Sequence, residues 1–121
     1  MPTIFLVDDN YSLLLLYQKL FTLKGYNVIG AARNGIEAIT MFKKFTVKPD
    51  VIIMDYRMPI KNGIEATKEI LQINKHSKII FASADERIEN EALSIGASAF
   101  KLKPFNIDNL IGKINETLLK N

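Results

Sequence analysis

The sequence predicts an α/β domain: a doubly wound, five-stranded parallel sheet covered by five helices. Short apolar runs recur along the chain without polar alternation, which is how strands buried on both faces read. Stretches with apolar residues at helical spacing separate these runs. Strands and helices alternating in this way imply parallel strands joined by right-handed crossovers. The length of 121 residues suits one domain, and an apolar fraction of 48% fills its core without covalent staples.

In chain order, the first strand is Thr3 to Val7, and the first helix runs from Ser12 to Lys24 and stops at Gly25. A weaker strand, Val28 to Ala32, precedes a helix over Gly35 to Phe45, where Ile36, Ile39 and Phe42 share a face and Pro49 follows. The third strand, Val51 to Met54, leads to a helix over Ile64 to Ile73. The fourth, Ile79 to Ala82, leads to a helix over Glu86 to Ile95 closed by Gly96. Ala99 to Leu102 is a second weak strand, and the last helix is Asn106 to Leu119, with Asn106 and Asp108 suited to its N-terminal end. With no linker, repeat or low-complexity tract, residues 1–121 read as one domain with no further domain attached.

The chain contains no cysteine, which excludes disulfides and thiolate metal sites and fits a reducing, cytoplasmic setting. Its start, MPTIFLVDDN, is neither a signal peptide nor a membrane span. The net charge is +3, but the lysines are scattered and no helix-turn-helix or zinc pattern is present, so neither nucleic-acid binding nor membrane association is expected.

In an open parallel sheet, ligands bind beyond the carboxyl ends of the strands. The first polar residues after the apolar runs are Asp8 and Asp9, then Asp55, Ser83 and Lys103. All five are expected on one edge of the sheet. Three carboxylates gathered there repel one another, and a hard divalent cation with oxygen ligands, Mg²⁺, resolves the conflict. Adding the ion (+2) and Lys103 (+1) to the three acids (−3) gives zero. Such a site suits phosphoryl transfer, which needs positioning and charge neutralisation more than covalent assistance. Taken singly, each residue is an ordinary cap, turn or surface charge; their joint placement singles them out. Other motifs fail. Gly30 to Gly35 has the glycine spacing of a P-loop but is followed by Ile36 and Glu37. His76, the only histidine, sits in a polar stretch, and Ser83 lacks a nucleophile elbow.

These residues sit in segments that resemble the receiver domains of response regulators over essentially the whole chain. They are FLVDDN at 5–10, GYNV at 25–28, ARNGIEAI from Ala32, PDVIIMDYRMPIKNGIEA at 49–66, IIFASA at 79–84 and GASAFKLKPF at 96–105. The resemblance implies a flavodoxin-like (βα)5 fold and a role for each residue. Asp55 would accept the phosphoryl group. Asp9, Asp55 and the backbone carbonyl of Arg57 would ligate Mg²⁺, and Asp8 would orient metal-bound water. Lys103 would hold a phosphoryl oxygen. Ser83 and Phe100 would form the switch pair, and the Lys103–Pro104 bond would be cis. The donor would be a phosphohistidine on a sensor kinase or phosphotransfer protein, and the output would be binding to a downstream protein. The domain would assist its own phosphorylation and dephosphorylation without turning over an external substrate. Two departures stand out. Asn62 replaces a frequent aspartate, and Ser98 and Ala99 replace acidic residues that one transcription-factor subfamily uses to dimerise.

Two further expectations concern the rim of the site. Arg57, two positions after Asp55, and Asp85, two after Ser83, carry opposite charges that either pair across its mouth or stand as two separate surface charges. On the first helix, Leu13, Leu16, Tyr17, Leu20 and Phe21 recur at core spacing, which leaves Leu14 and Leu15 facing water. With Tyr11, Pro104 and Phe105 they form a candidate docking surface for the histidine-bearing partner. The competing readings are a degenerate scaffolding receiver and a metal-dependent phosphatase. The complete acidic and basic set disfavours the first, and the lack of a second acid–base group disfavours the other.

Overall fold

The computed structural model describes residues 2–120. Its elements alternate throughout: β1 (Thr3–Val7), α1 (Tyr11–Leu23), β2 (Asn27–Ala32), α2 (Gly35–Lys44), β3 (Val51–Met54), α3 (Gly63–Ile73), β4 (Ile79–Ser83), a 3-10 turn (Glu86–Ile88), α4 (Glu89–Ser94), β5 (Ala99–Leu102) and α5 (Ile107–Leu119). All strand pairs are parallel, in the order β2-β1-β3-β4-β5, so the doubly wound five-stranded sheet is present as expected. The largest departure in boundaries is the fourth helix. Its first turn is 3-10, and the α-helical part spans only six residues.

The unbroken apolar runs follow from burial on both faces. Phe5 and Val7 of β1, with Ile52, Met54, Ile79 and Phe81, pack against Ala38, Ile39 and Phe42 of α2 and Ile64 and Ile70 of α3. The alternate residues Ile4, Leu6, Val51, Ile53, Ile80 and Ala82 pack against Leu14, Tyr17 and Phe21 of α1 and Leu110 and Ile114 of α5. Each fully buried Ile, Leu or Phe contributes about 1.5–3 kcal/mol relative to exposure, and both clusters rest on the same three central strands.

Four helices begin on an asparagine. The side chains of Asn10, Asn34, Asn62 and Asn106 accept the N–H groups of Leu13, Glu37, Glu65 and Asn109, and Asn62 forms a reciprocal capping box with Glu65. Asn62 therefore serves as a helix cap. At the other end of α2, the Lys48 ammonium donates to the carbonyls of Phe42 at 2.5 Å and Phe45 at 2.9 Å, satisfying groups the helix leaves open.

The phase of α1 differs from the sequence expectation. Leu14 is 2% exposed and belongs to the core, whereas Leu16 is 50% exposed and lies outside with Leu15 at 48%. Four consecutive leucines give no polar residue to mark the outer face, so the pattern alone fits two phases about one residue apart. Packing favours the stripe Leu14, Tyr17, Phe21, because those side chains meet the sheet beside α5. The outward pair is Leu15 and Leu16, with Leu23 further along.

Two glycines bring helix starts close to the segment that follows β3. The Gly63 N–H donates to the Tyr56 carbonyl at 2.9 Å, and a Cβ on Gly63 would collide with the backbone carbonyl of Asp55. Gly35 likewise donates to the Lys61 carbonyl at 3.0 Å, where a Cβ would meet that same oxygen. Gly63→Ala therefore forces α3 away from the end of β3. It should lower stability by about 1–3 kcal/mol in a urea titration followed by circular dichroism. A midpoint equal to wild type would show that α3 can move without cost.

Candidate functional site

The register of the strands brings the polar residues together. Val7 pairs with Met54, so Asp8 and Asp55 leave the sheet side by side, tied by the Asp55 N–H donating to the Val7 carbonyl at 2.9 Å. On the other flank Ser83 pairs with Leu102, and the Lys103 N–H donates to the Ser83 carbonyl at 2.9 Å. Strand order reverses between β1 and β3, where a doubly wound sheet opens a crevice. All five residues predicted for the carboxyl edge are there.

Oxygens of Asp8, Asp9 and Asp55 lie within 4.8 Å of one another. Asp8 and Asp55 are buried, whereas Asp9 is exposed. The Lys103 ammonium reaches from β5 to Asp8 at 2.7 Å and to Asp55 at 3.5 Å. The other oxygen of Asp8 accepts the Asn10 N–H at 2.9 Å, which fixes that carboxylate. A cavity of about 250 Å³ opens here, lined by Asp9, Asp55, Arg57, Ser83, Asp85 and Lys103.

Burial pushes the Asp55 carboxyl up to about 6; Lys103 opposes the rise, Asp8 adds to it, the Tyr56 N–H opposes it and Asp9 adds a little. For Lys103, burial acts against the charged form, but the hydrogen bond to Asp8 and the charges of Asp55 and Asp8 outweigh it and raise the pKa. At neutral pH the site thus holds a permanent ammonium and a carboxylate that resists ionisation. These donors fit a hard divalent cation. The three carboxylate ligands are hard oxygens, they crowd together, and one cation of charge +1 does not compensate them.

Ser83 is buried, and its Oγ accepts the Asp85 N–H at 3.1 Å. Phe100 is half-buried and packs on the cluster beneath α2, α3 and α4. The Lys103–Pro104 bond is cis, as the resemblance implied. Arg57 and Asp85 pair at 3.2 Å, which decides between the two readings of these charges.

The sequence reading missed Arg87, whose guanidinium meets Asp85 at 2.9 and 3.0 Å. Its spacing of two from Asp85 was the available signal. Also missed was Tyr17, which stacks on Phe105 at 6.4 Å with nearly parallel rings and joins α1 to the segment after β5. Of the proposed docking residues, Tyr11, Leu15 and Pro104 are exposed and Phe105 is half-buried, but Leu14 is in the core and is removed from the set. Tyr11 lies under the Arg33 guanidinium, 5.1 Å from ring centre to charge.

Comparison with known proteins agrees with this geometry. Residues 4–115 match the model of the response regulator receiver domain. The chain belongs to that family. Chemotaxis protein CheY of Thermotoga maritima is 37% identical over 115 residues, covering 93% of this chain and 94% of the relative. Sporulation initiation phosphotransferase F of Bacillus subtilis is 30% identical, covering 95% and 92%. The CheY of Borrelia burgdorferi, solved in a complex of CheX, CheY, BeF₃ and Mg²⁺, superposes with a TM-score of 0.92 at 27% identity, over 98% of this chain and 90% of the other. The receiver is a phosphoacceptor of two-component signalling. Among the described residues, no helix is long and apolar enough to cross a membrane.

The raised pKa of Asp55 has a stability consequence in the absence of metal. Above about pH 6 the carboxylate is charged in both folded and unfolded chains, and the folded state bears the full cost of burying it. Between about 6 and the ordinary value of 3.8 the folded state holds the proton more tightly, so the cost declines as pH falls. Asp55→Asn should therefore stabilise the metal-free receiver by on the order of 2 kcal/mol at pH 7.5, and by much less at pH 4.5. Thermal unfolding in EDTA at both pH values tests this, and an equal gain at both would contradict it.

Proposed function

We propose that Asp55 is the phosphoacceptor. The observation that carries this reading is the placement of its carboxylate. It is buried at the end of the central strand β3, beside Asp8 and 3.5 Å from the Lys103 ammonium that the two acids share, and it lines an open cavity. The donor is a phosphohistidine on a sensor kinase or a histidine phosphotransfer protein. One Asp55 oxygen attacks phosphorus, the P–N bond to the imidazole breaks, and an acyl phosphate forms. Lys103 holds a phosphoryl oxygen and neutralises charge in transit. Asp8, Asp9, Asp55 and the backbone carbonyl of Arg57 are the groups that would hold Mg²⁺, with Asp8 acting through water. When bound, the ion would supply charge neutralisation and orientation of the phosphoryl oxygens.

The phosphorylated state is read out through Ser83 and Phe100. The Ser83 hydroxyl leaves the Asp85 N–H for the phosphoryl group, and Phe100 turns further into the cluster it already touches. This is a shift between two populations that presents an altered surface to a downstream protein. Water then attacks phosphorus, the P–O bond to Asp55 breaks, and the carboxylate is regenerated with release of inorganic phosphate. The receiver thus assists its own phosphorylation and dephosphorylation. The composition and the relatives support action in the cytoplasm.

Incubation with acetyl phosphate and Mg²⁺, followed by intact mass measurement, should add one phosphoryl group to wild type and none to Asp55→Asn or to an EDTA-treated sample. Equal labelling of wild type and Asp55→Asn would refute the assignment.

Tyr11, Leu15 and Leu16 on the outside of α1, with Pro104 and with Phe105, on which Tyr17 of the same helix stacks, are the proposed docking surface for the histidine-bearing partner. Leu15→Glu with Leu16→Glu should leave thermal stability and acetyl-phosphate labelling as in wild type. Transfer from the phosphohistidine partner should slow by about tenfold, as for loss of an apolar contact of 1–2 kcal/mol. Unchanged transfer would remove α1 from the docking surface.

A further inference from the structure

Asp85 stands at the mouth of the site with its side chain only 11% exposed, and two arginines share it. They hold it differently. Arg87 engages both carboxylate oxygens. Its backbone N–H and Nε donate to Oδ1 at 3.1 and 2.9 Å, and its Nη2 donates to Oδ2 at 3.0 Å. Arg57 has a single bond, from Nη2 to the same Oδ2, at 3.2 Å. Its side chain is 72% exposed and that of Arg87 80%, so the number of bonds, not burial, distinguishes the two.

Their positions differ as well. Arg57 lines the cavity that holds Asp55, Ser83 and Lys103, and Arg87 does not. Arg87 lies two residues from Asp85, on the 3-10 turn that Asp85 itself caps, so its planar fork is held locally. We infer that Arg87 is a positioning residue: it keeps Asp85 paired so that Arg57 can leave Asp85 for the phosphoryl group on Asp55.

The physical reason is the cost of an orphaned charge. A carboxylate this enclosed cannot lose all its partners cheaply. Held by Arg87 alone, Asp85 still has both oxygens satisfied, and Arg57 departs with the loss of one long bond. A phosphoryl group brings nearly two negative charges within its reach. Without Arg87, Arg57 becomes the only side chain holding Asp85 and stays there. Arg87 therefore acts on the phosphoryl group through Asp85 and Arg57 without touching it. Arg87 also keeps the Asp85 carboxyl well below the usual range, so Asp85 remains charged throughout.

This inference rests on Asp55 being the phosphoacceptor, and the test separates the two. Beryllofluoride with saturating Mg²⁺ is titrated into each variant and its binding followed by fluorine NMR, with circular dichroism melting as the check on folding. Wild type should bind, and Arg57→Ala should weaken binding about threefold, the scale of an exposed ion pair. In an Arg87→Ala background the effect of Arg57→Ala should vanish, because Asp85 retains Arg57. Adding Asp85→Ala to Arg87→Ala releases Arg57 and should restore the threefold effect. Arg87→Lys, which keeps the charge without the fork, should fall between. A purely structural role for Arg87 would move all affinities together and leave the Arg57 effect intact. That outcome, or an Arg57→Ala variant that binds as well as wild type, overturns the inference while the phosphoacceptor reading stands. Failure of wild type to bind beryllofluoride overturns both.

Discussion

The ammonium of Lys103 is the hinge of the design. It originates at the end of an edge strand, crosses the end of β4, and contacts carboxylates from β1 and β3. Without it, two buried acids would face each other at the end of a sheet whose interior is wholly apolar, and one of them would take up a proton at neutral pH. One cation of charge +1 among three acids leaves a negative remainder. That remainder is what a hard divalent cation would neutralise, and the shared ammonium is what would meet a phosphoryl oxygen. Stability and the proposed chemistry are coupled here, because the groups that strain the fold by being charged are the ones that would hold the ion and the phosphoryl group.

That arrangement depends on register. A slip of one residue between β1 and β3 would send Asp8 and Asp55 to opposite faces of the sheet. The two apolar clusters prevent this, since alternate residues of β1, β3 and β4 are committed to different helix layers. The core thus acts as a positioning device for a handful of atoms at its rim, and Gly63 and Gly35 let the helix starts come close enough to wall that rim.

The fold was legible because its strongest signal, burial on both faces, leaves unbroken apolar runs that name the central strands. The site was legible because the first polar residue after a buried strand is constrained by the strand itself: Asp8, Asp55 and Lys103 had no other edge to occupy. What escaped depended on choices a linear pattern does not record. The phase of α1 was ambiguous through Leu13 to Leu16, and only contact with the sheet and α5 settles it in favour of Leu14. Arg87 looked like any surface arginine, because its meaning lies in a three-way contact with residues from two loops.

The four asparagine caps set one helix apart. α4 begins at Ile88 with no side-chain cap, follows a 3-10 turn, and runs for only six residues, of which Ala92 alone is buried. It hangs from the segment that starts at Ser83 and passes through Asp85. Such a helix has little to lose by melting. Its backbone amides should open to solvent through local excursions that leave the second apolar cluster, to which α4 contributes no residue, closed. Were the switch proposed for Ser83 and Phe100 to run through this segment, the free energy between its two populations would depend on this one weakly anchored turn of chain, and its amino-acid composition would set how readily the receiver responds.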